Sequence, residues 1–101
     1  MAQITLTDVL NDLRSAEQAL HRFEQRYWLS SDVFYELYTQ GKLDNGEYLE
    51  EFAEWMGHYK LKLKREKALK HFSRQRIEQL QQEGEGEMIH LLPQEPVLEV
   101  A

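Results

Sequence analysis

The side chains with the clearest chemical potential in this chain are cationic, and they sit together. Residues 60–76 hold eight of the twelve Lys and Arg and one of the eighteen carboxylates, Glu66, which leaves +7 in that stretch and −13 in the rest. Lys60, Lys64, Lys67 and Lys70 recur at helical spacing and can share one face, and Lys62, Arg65, Arg74 and Arg76 extend the charge around it. Ammonium and guanidinium groups in such a row bind anions, either phosphates or the carboxylates of an acidic protein. The plain alternative is a solvated helix face, or one paired with the acidic run Glu47, Glu50, Glu51 and Glu54 of another copy.

Other chemistry is thin. Glu51, Glu54 and His58 can line one helical face, but a metal needs converging ligands from a second element, and His21, His71 and His90 are isolated. No cofactor is expected. Nucleophiles are limited to Ser and Thr, because the chain has no cysteine. Ser30, Ser31 and Ser73 stand in no nucleophile-elbow context, and no glycine loop is built to cradle phosphate, so the reading is a protein that is not an enzyme. Aromatic residues crowd the middle of the chain. Most follow the seams described below and belong to a core, whereas Trp28, Tyr35 and Tyr48 fall off those seams and suit a partner surface. The C-terminal segment carries Ile89, Leu91 and Leu92 and then Val97, Leu98 and Val100, an apolar set fit to fill a partner's groove or to add a strand.

Length and composition bound the class. With 101 residues there is room for one domain, and 42% hydrophobic with 30% charged residues suits a globular or coiled-coil chain. The net charge of −6 argues against indiscriminate nucleic-acid binding while leaving room for a local basic patch. The N-terminus lacks the basic and apolar regions of a secretory signal, and no apolar run approaches the roughly 20 residues of a membrane span, so a cytoplasmic location is expected.

Three helices must position these groups. Leu6, Val9, Leu13, Ala16, Leu20, Phe23 and Tyr27 step by three and four, which is the seam of a first helix, with Thr7 as its expected cap. Ser30 suits the cap of a short second helix over 32–40, Leu29 and Phe34 have the spacing of a hydrophobic staple, and Gly41 ends the segment. Lys42-Leu43-Asp44-Asn45-Gly46 reads as a turn, tightest at Asn45-Gly46, and Asp44 with Glu47 as a capping box. A third helix then runs to about residue 82 with the seam Leu49, Phe52, Met56, Tyr59 and Leu63. That seam lapses at Glu66 and Lys70 and resumes out of phase, so a bend or a change of packing partner is expected near 64–68. Glu83-Gly84-Glu85-Gly86-Glu87 is a flexible break, and the prolines after it keep the tail extended.

The block Phe23-Glu24-Gln25-Arg26-Tyr27-Trp28-Leu29-Ser30, then Phe34, Tyr38, Gly41-Lys42-Leu43-Asp44, Glu54-Trp55 and Tyr59, resembles a family of small bacterial antitoxins of the TumA type, partners of a TumE-like RNA-cleaving toxin. The resemblance covers residues 20–63, with Phe23, Tyr27, Phe34, Gly41, Leu43, Trp55 and Tyr59 at the family's positions. It implies an all-α module that binds and neutralises a toxin, with autoregulatory DNA binding as a further possibility. The long basic extension of the third helix and the apolar tail depart from the family's pattern.

The expectation is an all-α fold. A helical hairpin with a short connecting helix would form one domain over residues 1–82, dimerised through the two seams, and a break and tail would follow over 83–101. Partner-binding candidates are Lys60, Lys64, Arg65, Lys67, Lys70, Arg74, Arg76, Ile89, Leu91, Leu92, Trp28 and Tyr35. The function expected is protein binding, as an antitoxin against a cognate toxin. The alternatives are a nucleic-acid-binding regulator acting through residues 60–76 and a homo-oligomeric coiled-coil scaffold.

Overall fold

The computed structural model describes residues 4–43, 46–83, 88–89 and 91–93. The fold is all-α, with helices α1 (Leu6–Tyr27), α2 (Ser31–Thr39) and α3 (Leu49–Glu83). Contacts group the chain into two compact units, residues 1–70 and 71–101.

α1 starts on a reciprocal capping box. The Asp8 backbone N–H donates to Thr5 Oγ1 and the Thr5 N–H to Asp8 Oδ2, both at 3.1 Å. The cap is therefore Thr5 and not Thr7, because only Thr5 lies three residues ahead of an acid that can answer it. Val9, Leu13, Ala16, Leu20 and Phe23 of the seam are buried, joined by Ala19, while Leu6 stays exposed. These side chains are covered by the chain itself, so the α1 seam is largely satisfied without a second copy.

The end of α2 follows from Gly41. At φ +68° it takes the left-handed conformation, and the Lys42 N–H reaches the Leu37 carbonyl at 2.9 Å while the Gly41 N–H reaches Tyr38 at 3.2 Å. These are the two bonds of a Schellman ending. The expected box between Asp44 and Glu47 lies outside the described residues.

α3 is one continuous helix of 35 residues through 64–68. Its contacts nevertheless change character. Phe52, Trp55, Met56 and Tyr59 pack in the core, whereas further along Arg65 pairs with Asp12 of α1 at 2.7 Å and Lys62 lies 4.0 Å from Glu66. Contacts descend α1 as they ascend α3: Arg26 with Glu51, Phe23 with Trp55, Asp12 with Arg65. Helices that meet in this order run antiparallel.

The core of the first unit is aromatic and centred on Trp55, which is 1% exposed. Its ring lies parallel to Phe34 of α2 with centroids 3.8 Å apart, and it stacks with Phe23 and Tyr27 of α1, each at 5.4 Å. Leu29, Tyr38, Leu43, Phe52, Met56 and Tyr59 pack around this cluster. The sequence seam of α3 does not include Trp55, yet Trp55 is the most buried residue of that helix, while Leu49 and Leu63 of the seam are 47% and 40% exposed.

Candidate functional site

Polar groups inside the first unit form a relay across all three helices. The indole N–H of Trp55 donates to Ser31 Oγ at 2.9 Å, and the Ser31 hydroxyl donates to Glu24 Oε2 at 2.7 Å. The same carboxylate oxygen accepts the Ser31 backbone N–H at 3.0 Å. Ser30, which stands at the cap position of α2, makes no side-chain bond to that helix's N–H groups. Glu24 does that work from α1, with a negative charge placed where the dipole of α2 favours it. A buried Trp N–H and a buried hydroxyl are thus both satisfied. Ser31 is buried and its proton is directed at Glu24, so the relay joins helices and presents no hydroxyl to solvent.

A second network ties the end of α1 to the start of α3. Arg26 Nε lies 2.8 Å from Glu51 Oε1, its Nη2 donates to Oε2 at 3.2 Å, and the Tyr27 hydroxyl donates to Oε1 at 2.6 Å. Burial, and then the hydrogen bond to Glu51, push the Tyr27 phenol above its ordinary range. Tyr59 is raised too, by burial first and then by the charge of Asp32. Asp32 is lowered, chiefly by a hydrogen bond from the Ser30 side chain and next by the Val33 N–H.

The remaining candidate residues lie on the exposed surface. Trp28 is its most unusual feature: it is 91% exposed and adopts φ 55°, ψ 46°, with its N–H closing α1 onto Glu24. Glycine is the usual occupant of this left-handed position, and a Cβ there costs about 1–2 kcal/mol. Close by in sequence, Arg26 lies over the Tyr48 ring at 5.8 Å, and Tyr48 itself is exposed. Tyr35, the other aromatic candidate, is half-buried against Tyr59 with centroids 5.1 Å apart.

Lys60, Lys64, Lys67 and Lys70 are all exposed, and among the described residues no carboxylate lies within ion-pair distance of them. Arg65, in contrast, is engaged by Asp12. In the second unit Arg74 is exposed beside Ser73, Ile77 and Glu78 on a shallow groove, and Arg76 donates to the Leu92 carbonyl at 2.7 Å. Ile89, Leu91 and Leu92 are exposed and lie outside regular secondary structure. Val97, Leu98 and Val100 lie outside the described residues. No three His, Asp or Glu side chains converge on a metal position among the described residues.

Sequence reasoning missed the relay of Trp55, Ser31 and Glu24. The signal available was the spacing of Glu24 and Ser31, seven residues apart across a helix end, which marks a contact only once the turn between them is known.

No known family, curated protein or solved structure matches this chain. The fold itself defines the class, an all-α protein. Among the described residues no helix is long and apolar enough to cross a membrane.

Proposed function

We propose that the chain is a non-enzymatic protein-binding module, most concretely an antitoxin that binds and neutralises a cognate toxin in the cytoplasm. The observation that carries the binding reading is Trp28, a large apolar side chain held almost wholly in solvent on a backbone conformation that disfavours it. Local strain and an exposed indole are both unfavourable in the free chain, and a partner pocket relieves the second; Trp is the residue type most enriched among interface hot spots. The antitoxin reading draws on the family resemblance, whose positions Phe23, Tyr27, Phe34, Leu43, Trp55 and Tyr59 all belong to the aromatic core. Tagged full-length chain and its Trp28→Ala variant, each checked for helicity by circular dichroism, are used to capture partners from native-cell extract. One small protein held by the full chain and lost with the variant supports the reading. Equal capture by both removes Trp28 from the interface, and recovery of the chain alone removes the partner.

A second reading, nucleic-acid binding, is favoured by the exposed row of Lys60, Lys64, Lys67 and Lys70. Four phosphate contacts give a log–log salt slope of about −3.6 on duplex DNA. A flat salt response rules this reading out.

A further inference from the structure

The outward face of α3 is self-complementary under a twofold axis. Leu49 and Leu63 lie seven residues before and after Met56, and Glu50 and Lys64 lie seven residues before and after the adjacent Gly57. At 100° per residue, Leu49, Met56 and Leu63 form one row and Glu50, Gly57 and Lys64 a second row beside it, with Ala53 and Lys60 between them. The centre of this face points about 150° away from Trp55, the residue that anchors α3 in the core. Leu49, Glu50, Ala53, Gly57, Lys60, Leu63 and Lys64 are exposed, and Met56 is half-buried at the core's edge.

We propose that this face binds a second copy of the same chain, with the two α3 helices antiparallel and the twofold axis passing beside Met56 and Gly57. In that arrangement Leu49 of each protomer meets Leu63 of the other and Met56 meets Met56. On the neighbouring row Glu50 meets Lys64 twice, and the stem of Lys60 covers Ala53. An isologous contact requires self-complementarity of this kind, with an acid matched to a base and an apolar group to an apolar group on the same side of the axis. A parallel, in-register pairing would instead set the charged row of each helix against the apolar row of the other, Glu50 beside Leu49 and Lys64 beside Leu63. Gly57 fits the same account. It lowers helix propensity in the middle of α3, and among the described residues a Cβ placed on it meets nothing within 4 Å, so no close approach there requires it. At the crossing of two helices it brings the backbones together. The charge pattern also favours a second copy over nucleic acid, because everything outside residues 60–76 carries −13. The dimer leaves Lys67 and Lys70 uncovered and does not depend on the antitoxin reading.

The test is sedimentation equilibrium of the full chain over a wide concentration series, with charge-swapped variants. Glu50→Lys and Lys64→Glu each place like charges at two symmetric contacts and raise the dimer dissociation constant at least about tenfold. The double variant E50K/K64E restores it. Because the chain has no cysteine, cross-linking reports orientation cleanly. Under oxidation Gly57→Cys links to itself, Leu49→Cys does not, and an equimolar mixture of Leu49→Cys and Leu63→Cys gives the heterodimer. A monomer at every concentration overturns the proposal. So does a dimer indifferent to both charge reversals, or one in which Leu49→Cys self-links, since that orientation is parallel.

Discussion

Removing one hydroxyl tests the relay that joins the three helices. In Ser31→Ala the Trp55 indole N–H loses its acceptor at a site where Trp55 is 1% and Ser31 3% exposed. An orphaned buried donor costs about 1–3 kcal/mol. Glu24 also loses the hydroxyl bond of 2.7 Å but keeps the Ser31 backbone N–H. The expected loss is about 2–3 kcal/mol, a large share of the roughly 5–15 kcal/mol typical of a domain. For a domain of this size that lowers Tm by on the order of 10–20 °C. The assay is urea unfolding followed by helicity, with thermal melts alongside. Ser30→Ala, at the position a sequence reading selects as the cap, is expected to cost less than about 1 kcal/mol. Trp55→Phe removes the donor itself, so Ser31→Ala in that background costs about 1–2 kcal/mol less than alone. A change below about 0.5 kcal/mol in Ser31→Ala, or the same loss with and without the indole N–H, refutes the reasoning.

Trp28→Gly relieves the left-handed strain at the end of α1 and raises stability by about 0.5–1 kcal/mol in denaturant unfolding, while abolishing partner capture. Stability falls as pH climbs past about 10, the ordinary tyrosine value, because the folded chain holds the Tyr27 and Tyr59 protons more tightly than the unfolded chain does. Their contribution is complete below that pH and is lost as pH rises through the raised folded values. Tyr27→Phe makes the decline shallower, as melts at a series of alkaline pH values will show. Arg65→Ala and Asp12→Asn each cost about 1 kcal/mol, and the double variant costs little more than either, because both remove one partly buried pair.

The helices were legible because their physics is local. The steps of three and four from Val9 to Phe23 mark the buried stripe of α1, and Gly41 ends α2 through the conformation only glycine takes freely. Thr5 and Thr7 are equally good cap acceptors in isolation, and only the reciprocal bond with Asp8 selects Thr5. The inward direction of α3 was harder to read. Periodicity made Leu49, Phe52, Met56, Tyr59 and Leu63 the seam, but a stripe of 3.5-residue period fixes a face only to within about one residue. The actual direction is set by Trp55, whose N–H has its acceptor in Ser31 of another helix. Rotating α3 onto Trp55 leaves Leu49 and Leu63 exposed. Tyr35 shows the limit of the same rule, since an aromatic off every seam still found Tyr59 as a partner.

The family resemblance and the candidate surface fall on different residues. The positions that carry the resemblance, Phe23, Tyr27, Phe34, Leu43, Trp55 and Tyr59, pack together, and Gly41 turns the chain. Trp28 lies between Tyr27 and Leu29 and is not among the positions that carry the resemblance. Its side chain contributes little to the core at 91% exposure, and its backbone alone closes α1. The fold therefore constrains the conformation at residue 28 far more than the side chain carried there. The side chain at that corner can change without disturbing the relay and the ring stack behind it. Under the proposed binding role, partner capture is physically separable from stability, which is why Trp28→Gly is expected to move the two in opposite directions.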